Sequence, residues 1–174
     1  MVKTDTLSGQ VRVVVKCDLA ESISGLVSQG EVLEHSISKS ITDGSGANQA
    51  TVWLAGSFNA SCGGTTVSLA GADPFGAYGD DVPTGTVEGL KLRTLIIENM
   101  DDSNHVHIKR GAAGISGFIT GSTDSIRLPA GGMFLIHYPS GAGHALNDTV
   151  DDELLVTGSS ATELVPCKLT ALIG

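Results

Sequence analysis

The sequence predicts an all-β protein: an antiparallel β-sandwich, jelly-roll-like, built from about ten short strands with little helix. Three observations carry this. Apolar and polar residues alternate with period two in one segment after another, the pattern of strands with one face buried. Glycine-rich turns punctuate these segments at spacings of roughly ten residues. The composition agrees, with 23 glycines, five prolines and 4% aromatics, and helix formers at helical spacing are scarce.

The elements follow in order. From Gly9 to Cys17 the chain sets Val11, Val13 and Val15 on one side and Arg12, Val14 and Lys16 on the other, a period-two strand. Asp18 to Gln29 is ambiguous: Asp18 could cap a short helix carrying Leu19, Ile23, Leu26 and Val27, but Gly25 interrupts it. Val32 to Ile41 alternates again, with Leu33, His35, Ile37, Lys39 and Ile41 on one face and serines on the other. After the turn at Asp43–Asn48, Gln49 to Phe58 reads as the return strand, with Val52, Leu54 and Gly56 opposite Trp53. Cys62-Gly63-Gly64 then turns into Thr65 to Leu69. Leu90 to Asn99 is almost continuously aliphatic, as expected of a strand buried on both faces. Asp101-Asp102-Ser103-Asn104 turns into His105 to Ile108, and short strands are expected at Ile115–Thr120, Ser125–Leu128, Met133–Tyr138, Glu153–Thr157 and Cys167–Ile173. There is no internal repeat and no domain linker. A single domain over residues 1–174 is expected, with a flexible or partner-binding amino-terminal segment (about 1–9) and a long contact loop (about 71–89) rich in glycine and aspartate.

Composition narrows the function. A chain of 174 residues with 41% hydrophobic and 17% charged residues suits one folded domain. Its aliphatic runs, such as Val13–Val15 and Leu95–Ile97, are far below the ~20 residues of a membrane span. The first ten residues lack the apolar stretch of a secretion signal, so synthesis and residence in a cytoplasm is expected. With 19 acids against 10 Lys plus Arg, the net charge of −9 repels phosphate backbones, and Lys109-Arg110 is the only adjacent basic pair. Neither nucleic acid nor membrane is therefore expected as a partner. Cys17, Cys62 and Cys167 are odd in number and without Cys-x-x-Cys spacing, so they read as reduced and mostly buried. Asp151-Asp152-Glu153 lacks the alternating ligands of a calcium loop and reads as a solvated turn. No Gly-x-Ser-x-Gly elbow and no phosphate-binding Gly-Lys-Ser/Thr loop is present.

Histidine offers the one candidate for chemistry. His105-Val106-His107 puts two imidazoles on the same strand face, and Pro139-Ser140-Gly141-Ala142-Gly143-His144 supplies a third after a tight turn. These two stretches resemble, in part, the paired motifs of the cupins, and the resemblance implies His105, His107 and His144 as metal ligands of a metal-dependent enzyme. The chain departs from that pattern where Ile108-Lys109-Arg110-Gly111 stands in place of the acidic ligand. A divalent cation would meet neutral ligands beside positive charge, a poor site. The expectation is no metal, no cofactor and no catalytic residue, with the histidines as ordinary strand residues near a turn.

A second resemblance covers roughly residues 36–174. The turn Asp43–Ala50 comes first, then the run Leu90–Asn99, a glycine-rich hairpin from Gly111 to Gly121, Ile126–Gly132, Asp152–Val156 and the closing Lys168–Gly174 strand. In this order the chain resembles the small β-rich virion proteins of tailed bacteriophages, the head-decoration, neck and minor tail components. The resemblance implies a non-enzymatic virion protein made in the host bacterial cytoplasm. It would be a capsid decoration or cement protein, or alternatively a neck or minor tail/fibre component. Other virion proteins, the major capsid protein first, and copies of itself in a trimer would be its partners. Within the 71–89 loop, Phe75 and Tyr78 are then expected at a subunit interface, with Asp80 and Asp81 facing a basic patch on the neighbour. A carbohydrate-binding module is a third class, but one Trp, two Tyr and four Phe leave it no obvious aromatic platform.

Overall fold

The computed structural model describes residues 8–21, 29–43, 49–50, 52–69, 89–112, 114–115, 119, 121, 123–138, 143–147 and 152–174. Along residues 8–43 it describes the backbone and the side chains of Gln10, Arg12 and Ser38. Twelve strands are formed and, among the described residues, no helix: β1 Ser8–Glu21, β2 Gln29–Asp43, β3 Gln49–Ala50, β4 Val52–Ala60, β5 Thr65–Ser68, β6 Lys91–Asn99, β7 Val106–Arg110, β8 Ser125–Leu128, β9 Met133–His137, β10 His144–Ala145, β11 Glu153–Gly158 and β12 Val165–Ile173.

Nine of these strands build a sandwich of two antiparallel sheets. The first has the order β4–β12–β6, with β9 and β10 in succession along the far side of β6. The second has the order β5–β11–β7–β8. The pairing is nested: β4 with β12, β5 with β11, β6 with β9, β7 with β8. A long hairpin wrapped across two sheets gives this nesting, and it is the jelly-roll arrangement. The expected return of Gln49–Phe58 onto the preceding strand does not occur. Only Gln49 and Ala50 lie beside β2, in parallel, and the chain from Val52 onward pairs with the carboxy-terminal β12. Alternation marks which face of a strand is buried but not which neighbour it takes, since backbone hydrogen bonds are the same for any partner.

The core lies between the two sheets. On β12, Val165, Cys167, Leu169, Ala171 and Ile173 point inward while Pro166 and Lys168 are exposed; β11 contributes Leu154 and Val156 in the same phase. Each aliphatic side chain buried in this way stabilises the fold by roughly 1.5–3 kcal/mol. On β6 the expected burial of both faces is found only over Leu92–Leu95, where the register is irregular; from Leu95 to Asn99 burial alternates, with Ile96 and Glu98 half-buried. Thr94 lies opposite Leu172 and Leu92 opposite Ile173, so Arg93 is an extra residue without a partner on β12. A bulge of this kind shifts the phase of a strand, and Leu92 and Leu95 both reach the core. Between Arg110 and Ser125, Ile115 and Ile119 are buried and Gly114 bridges Glu153; the rest of the strand expected over 115–120 lies outside the described residues.

The amino-terminal ribbon stands apart in its pairing. β1 and β2 face each other from Ser8 opposite Thr42 to Glu21 opposite Gln29. The ambiguous stretch from Asp18 thus begins as strand through Glu21. At ~3.4 Å per residue the ribbon is about 45 Å long. Among the described residues, no strand of the sandwich pairs with it.

Candidate functional site

The strongest concentration of polar chemistry lies on the outer face of the second sheet. Val106 and Ile108 are fully buried in the core, so the alternation of β7 turns His107 and Lys109 outward. On β8, Arg127 stands opposite His107 and Ser125 opposite Lys109, both exposed. His105, just before β7, donates its backbone N–H to Ser159 Oγ at 3.1 Å. The His105 and His107 rings meet edge to face, their centroids 5.1 Å apart and planes at 73°. Arg127 Nη2 lies 3.4 Å from His105 Nδ1, and His107 Nδ1 lies 3.2 Å from Ser125 Oγ. Burial, and then the positive charges of His105, Lys109 and Arg127, hold the His107 imidazole below its ordinary pKa. The result is a cationic cluster on a chain whose net charge is −9.

The three histidines of the cupin resemblance are not brought together. His105 and His107 lie on the outside of the second sheet, whereas His144 lies on β10, opposite Leu92 in the first. The phase of β7 is the reason, because Val106 takes the inward position that a ligand would need. Among the described residues no group of His, Cys, Asp or Glu is placed to hold a metal ion.

At one end of the sandwich a polar knot ties three connections together. Asn99, 2% exposed, donates from Nδ2 to Asn104 O at 2.8 Å and Pro129 O at 2.9 Å, while its Oδ1 accepts from Asp101 N at 3.1 Å. Asp101 Oδ1 accepts from Asn104 N at 2.6 Å and Ser103 N at 2.8 Å, which holds its carboxyl below the usual carboxylate range. Met100 N donates to Pro166 O, and Gly131, in the left-handed region at φ 65°, donates to Asp101 O. Three large apolar side chains are exposed around this end: Met100, Met133 (opposite Glu98) and Leu164 just before β12.

Asp152 corrects the reading of its acid run. It is 1% exposed rather than solvated, and Ser68 Oγ donates to its carboxylate while its backbone oxygen accepts from Leu69 N. Neither the buried Asp152 and Asn99 nor the part of Arg127 in the cationic face was singled out by sequence. Arg127 could have been found, since the period-two phase of Ser125–Leu128 sets Ser125 and Arg127 on the same face. Cys167 is buried and Cys62 exposed, both free, and the side chain of Cys17 lies outside the described residues. The interface candidates Phe75, Tyr78, Asp80 and Asp81 lie outside the described residues, as do residues 1–7.

The ribbon provides the remaining surface. Its register places Val11 and Val13 on one face with Lys39 and Ile37 opposite, followed by Val15 with His35 and Cys17 with Leu33. The other face pairs Gln10 with Ser40, Arg12 with Ser38 and Lys16 with Glu34, and the described side chains there, Gln10, Arg12 and Ser38, are all exposed. One face is thus mainly apolar and the other mainly polar, with Val14 and Val32 among its register positions. In comparisons with known proteins, no family model, no curated protein and no solved structure matches the chain.

Proposed function

We propose that this protein is a non-enzymatic structural component of a virion, a decoration or cement protein that binds the head surface of a tailed bacteriophage. The observation that supports it best is the β1–β2 ribbon. A two-stranded ribbon is marginal by itself in water, yet this one is long, amphipathic by register and unpaired with the sandwich among the described residues. An apolar ribbon face gains stability when neighbouring chains cover it. Three copies around an axis would cover it symmetrically, and so we propose a homotrimer. The exposed Met100, Met133 and Leu164 add an adaptable apolar surface, suited to contacts with the major capsid protein. Many modest contacts of this kind, repeated over a shell, multiply in strength without any special chemistry.

A neck or minor tail/fibre position is the alternative within the same class. The test is mass spectrometry and cryo-EM of particles purified from the source. Density for this chain at regular positions on the head supports decoration, density at the neck or tail reassigns the position, and absence from particles refutes the reading.

A further inference from the structure

We infer that the outer face of the second sheet is a binding site for a carboxylate-rich segment of a neighbouring protein, with Lys109 and Arg127 as its anchors and His105 and His107 beside them. The inference deepens the assembly reading above by naming the chemistry of one contact. It starts from an imbalance. A chain with 19 acids and 10 Lys plus Arg has enough carboxylates to neutralise every cation. Yet among the described residues the fixed charges acting on His107 are both positive: Lys109 and Arg127. The polar side-chain contacts of the cluster run to Ser125 and within the cluster itself, and among the described residues none goes to a carboxylate. Like charges set side by side on adjacent strands destabilise a sheet, and a bound anion relieves that repulsion.

The geometry favours carboxylates in an extended segment. His107 and Arg127 are direct cross-strand neighbours, and Lys109 is the next outward position on β7. Successive outward positions on a strand are about 7 Å apart, the same repeat at which an extended peptide presents alternate side chains. A guanidinium at one such position offers two parallel N–H donors to a carboxylate. The net charge of −9 selects against nucleic acid, whose closely spaced phosphates would meet a long-range repulsion that a short acidic peptide meets far less.

The experiment uses the whole purified chain and an octaglutamate peptide, followed by isothermal titration at about 50 mM and about 300 mM salt. Inorganic phosphate and a single-stranded oligonucleotide of equal charge serve as competing probes. The expected result is saturable binding of octaglutamate that weakens about tenfold at the higher salt. It should weaken at least tenfold again in Lys109→Gln/Arg127→Gln, whose thermal unfolding stays close to that of the unaltered chain because Arg127 is exposed and Lys109 half-buried. Binding that persists in the double variant overturns the site, as does no binding at low salt. Tighter binding of phosphate or the oligonucleotide overturns the carboxylate assignment. Because the titration needs no particle, octaglutamate binding by a chain missing from virions would remove the proposed function and leave this site standing.

Discussion

Replacing Asn99 by alanine tests whether the polar knot holds the end of the sandwich. The side chain is buried and makes three good hydrogen bonds, two from Nδ2 to the carbonyls of Asn104 and Pro129 and one from Asp101 N to Oδ1. Alanine removes all three and leaves two carbonyls and one N–H, on residues that are themselves half-buried or exposed, without that partner. At roughly 1 kcal/mol for each lost bond the cost is about 3 kcal/mol, more if the orphaned groups stay dry. For a protein of this length that corresponds to a fall in Tm of about 6–12 °C. Thermal unfolding followed by circular dichroism reads it directly. Asn99→Asp separates hydrogen bonding from packing, because it keeps the shape but turns a carboxylate oxygen toward two carbonyls. That environment raises the folded pKa of the new acid above its unfolded value of about 3.9. The deficit of Asn99→Asp should therefore be full at neutral pH and shrink as pH falls through the folded pKa, where the protonated acid can donate again. A loss below about 1 kcal/mol in Asn99→Ala, or an aspartate deficit that does not change with pH, would refute the reasoning.

Other outcomes follow from the same structure. Under native conditions a thiol reagent should modify the exposed Cys62 and spare Cys167, whose thiol is pushed up to about 11 by burial first and the Asp101 charge second; peptide mapping checks this, with Cys167 reacting only on unfolding. The depressed pKa of His107 means that the unfolded chain takes up its proton first as pH falls. Stability should thus decline as pH drops through the ordinary imidazole value and level off below the folded one, and His107→Gln should flatten that decline in a Tm series from about pH 8 to 5. Light scattering should give a mass of three chains, and Val13→Asp with Ile37→Asp should yield monomer, since the register puts both residues on the apolar ribbon face. A wild-type chain that is monomeric at every concentration contradicts the trimer.

Fold class was legible because it depends on period. On β7, β11 and β12 the alternation in sequence reappears as alternation in burial, since one face packs on the core and the other meets solvent. Strand partners were not legible. The nested pairing of β4 with β12 joins residues such as Val52 and Ile173, far apart in sequence, and no local signal connects them. The site was half legible. The spacing of His105 and His107 correctly set them on one face, but which face depended on Val106 and Ile108 being the core residues. His144 matched a motif in sequence while its strand paired with the other sheet. Asp152 shows the same limit from the opposite side: an acid run looks solvated until the partner that buries it, Ser68 on β5, is brought alongside by the fold.

How neighbours can attach is constrained by the sandwich's own edges. An exposed strand edge offers main-chain donors and acceptors to any passing chain, and short or charged edges blunt that hazard. In the second sheet the edge strands β5 and β8 have four residues each, and β8 carries Arg127. Along the far side of β6 the pairing is divided between β9 and the two-residue β10, so that edge of the first sheet is interrupted. Strand addition to the sandwich at these places has little to build on, and contact there falls to side chains, the cationic face among them. The ribbon differs. β2 is paired with β1 along its length and with β3 only at Thr42 and Asp43, while β1, among the described residues, has β2 as its sole partner. The outer edge of β1 therefore keeps fourteen residues of backbone for a neighbour. On the proposed reading the two modes divide the work. The ribbon joins like chains through its apolar face and free edge, and the sandwich meets unlike surfaces through its side chains and the β4 edge.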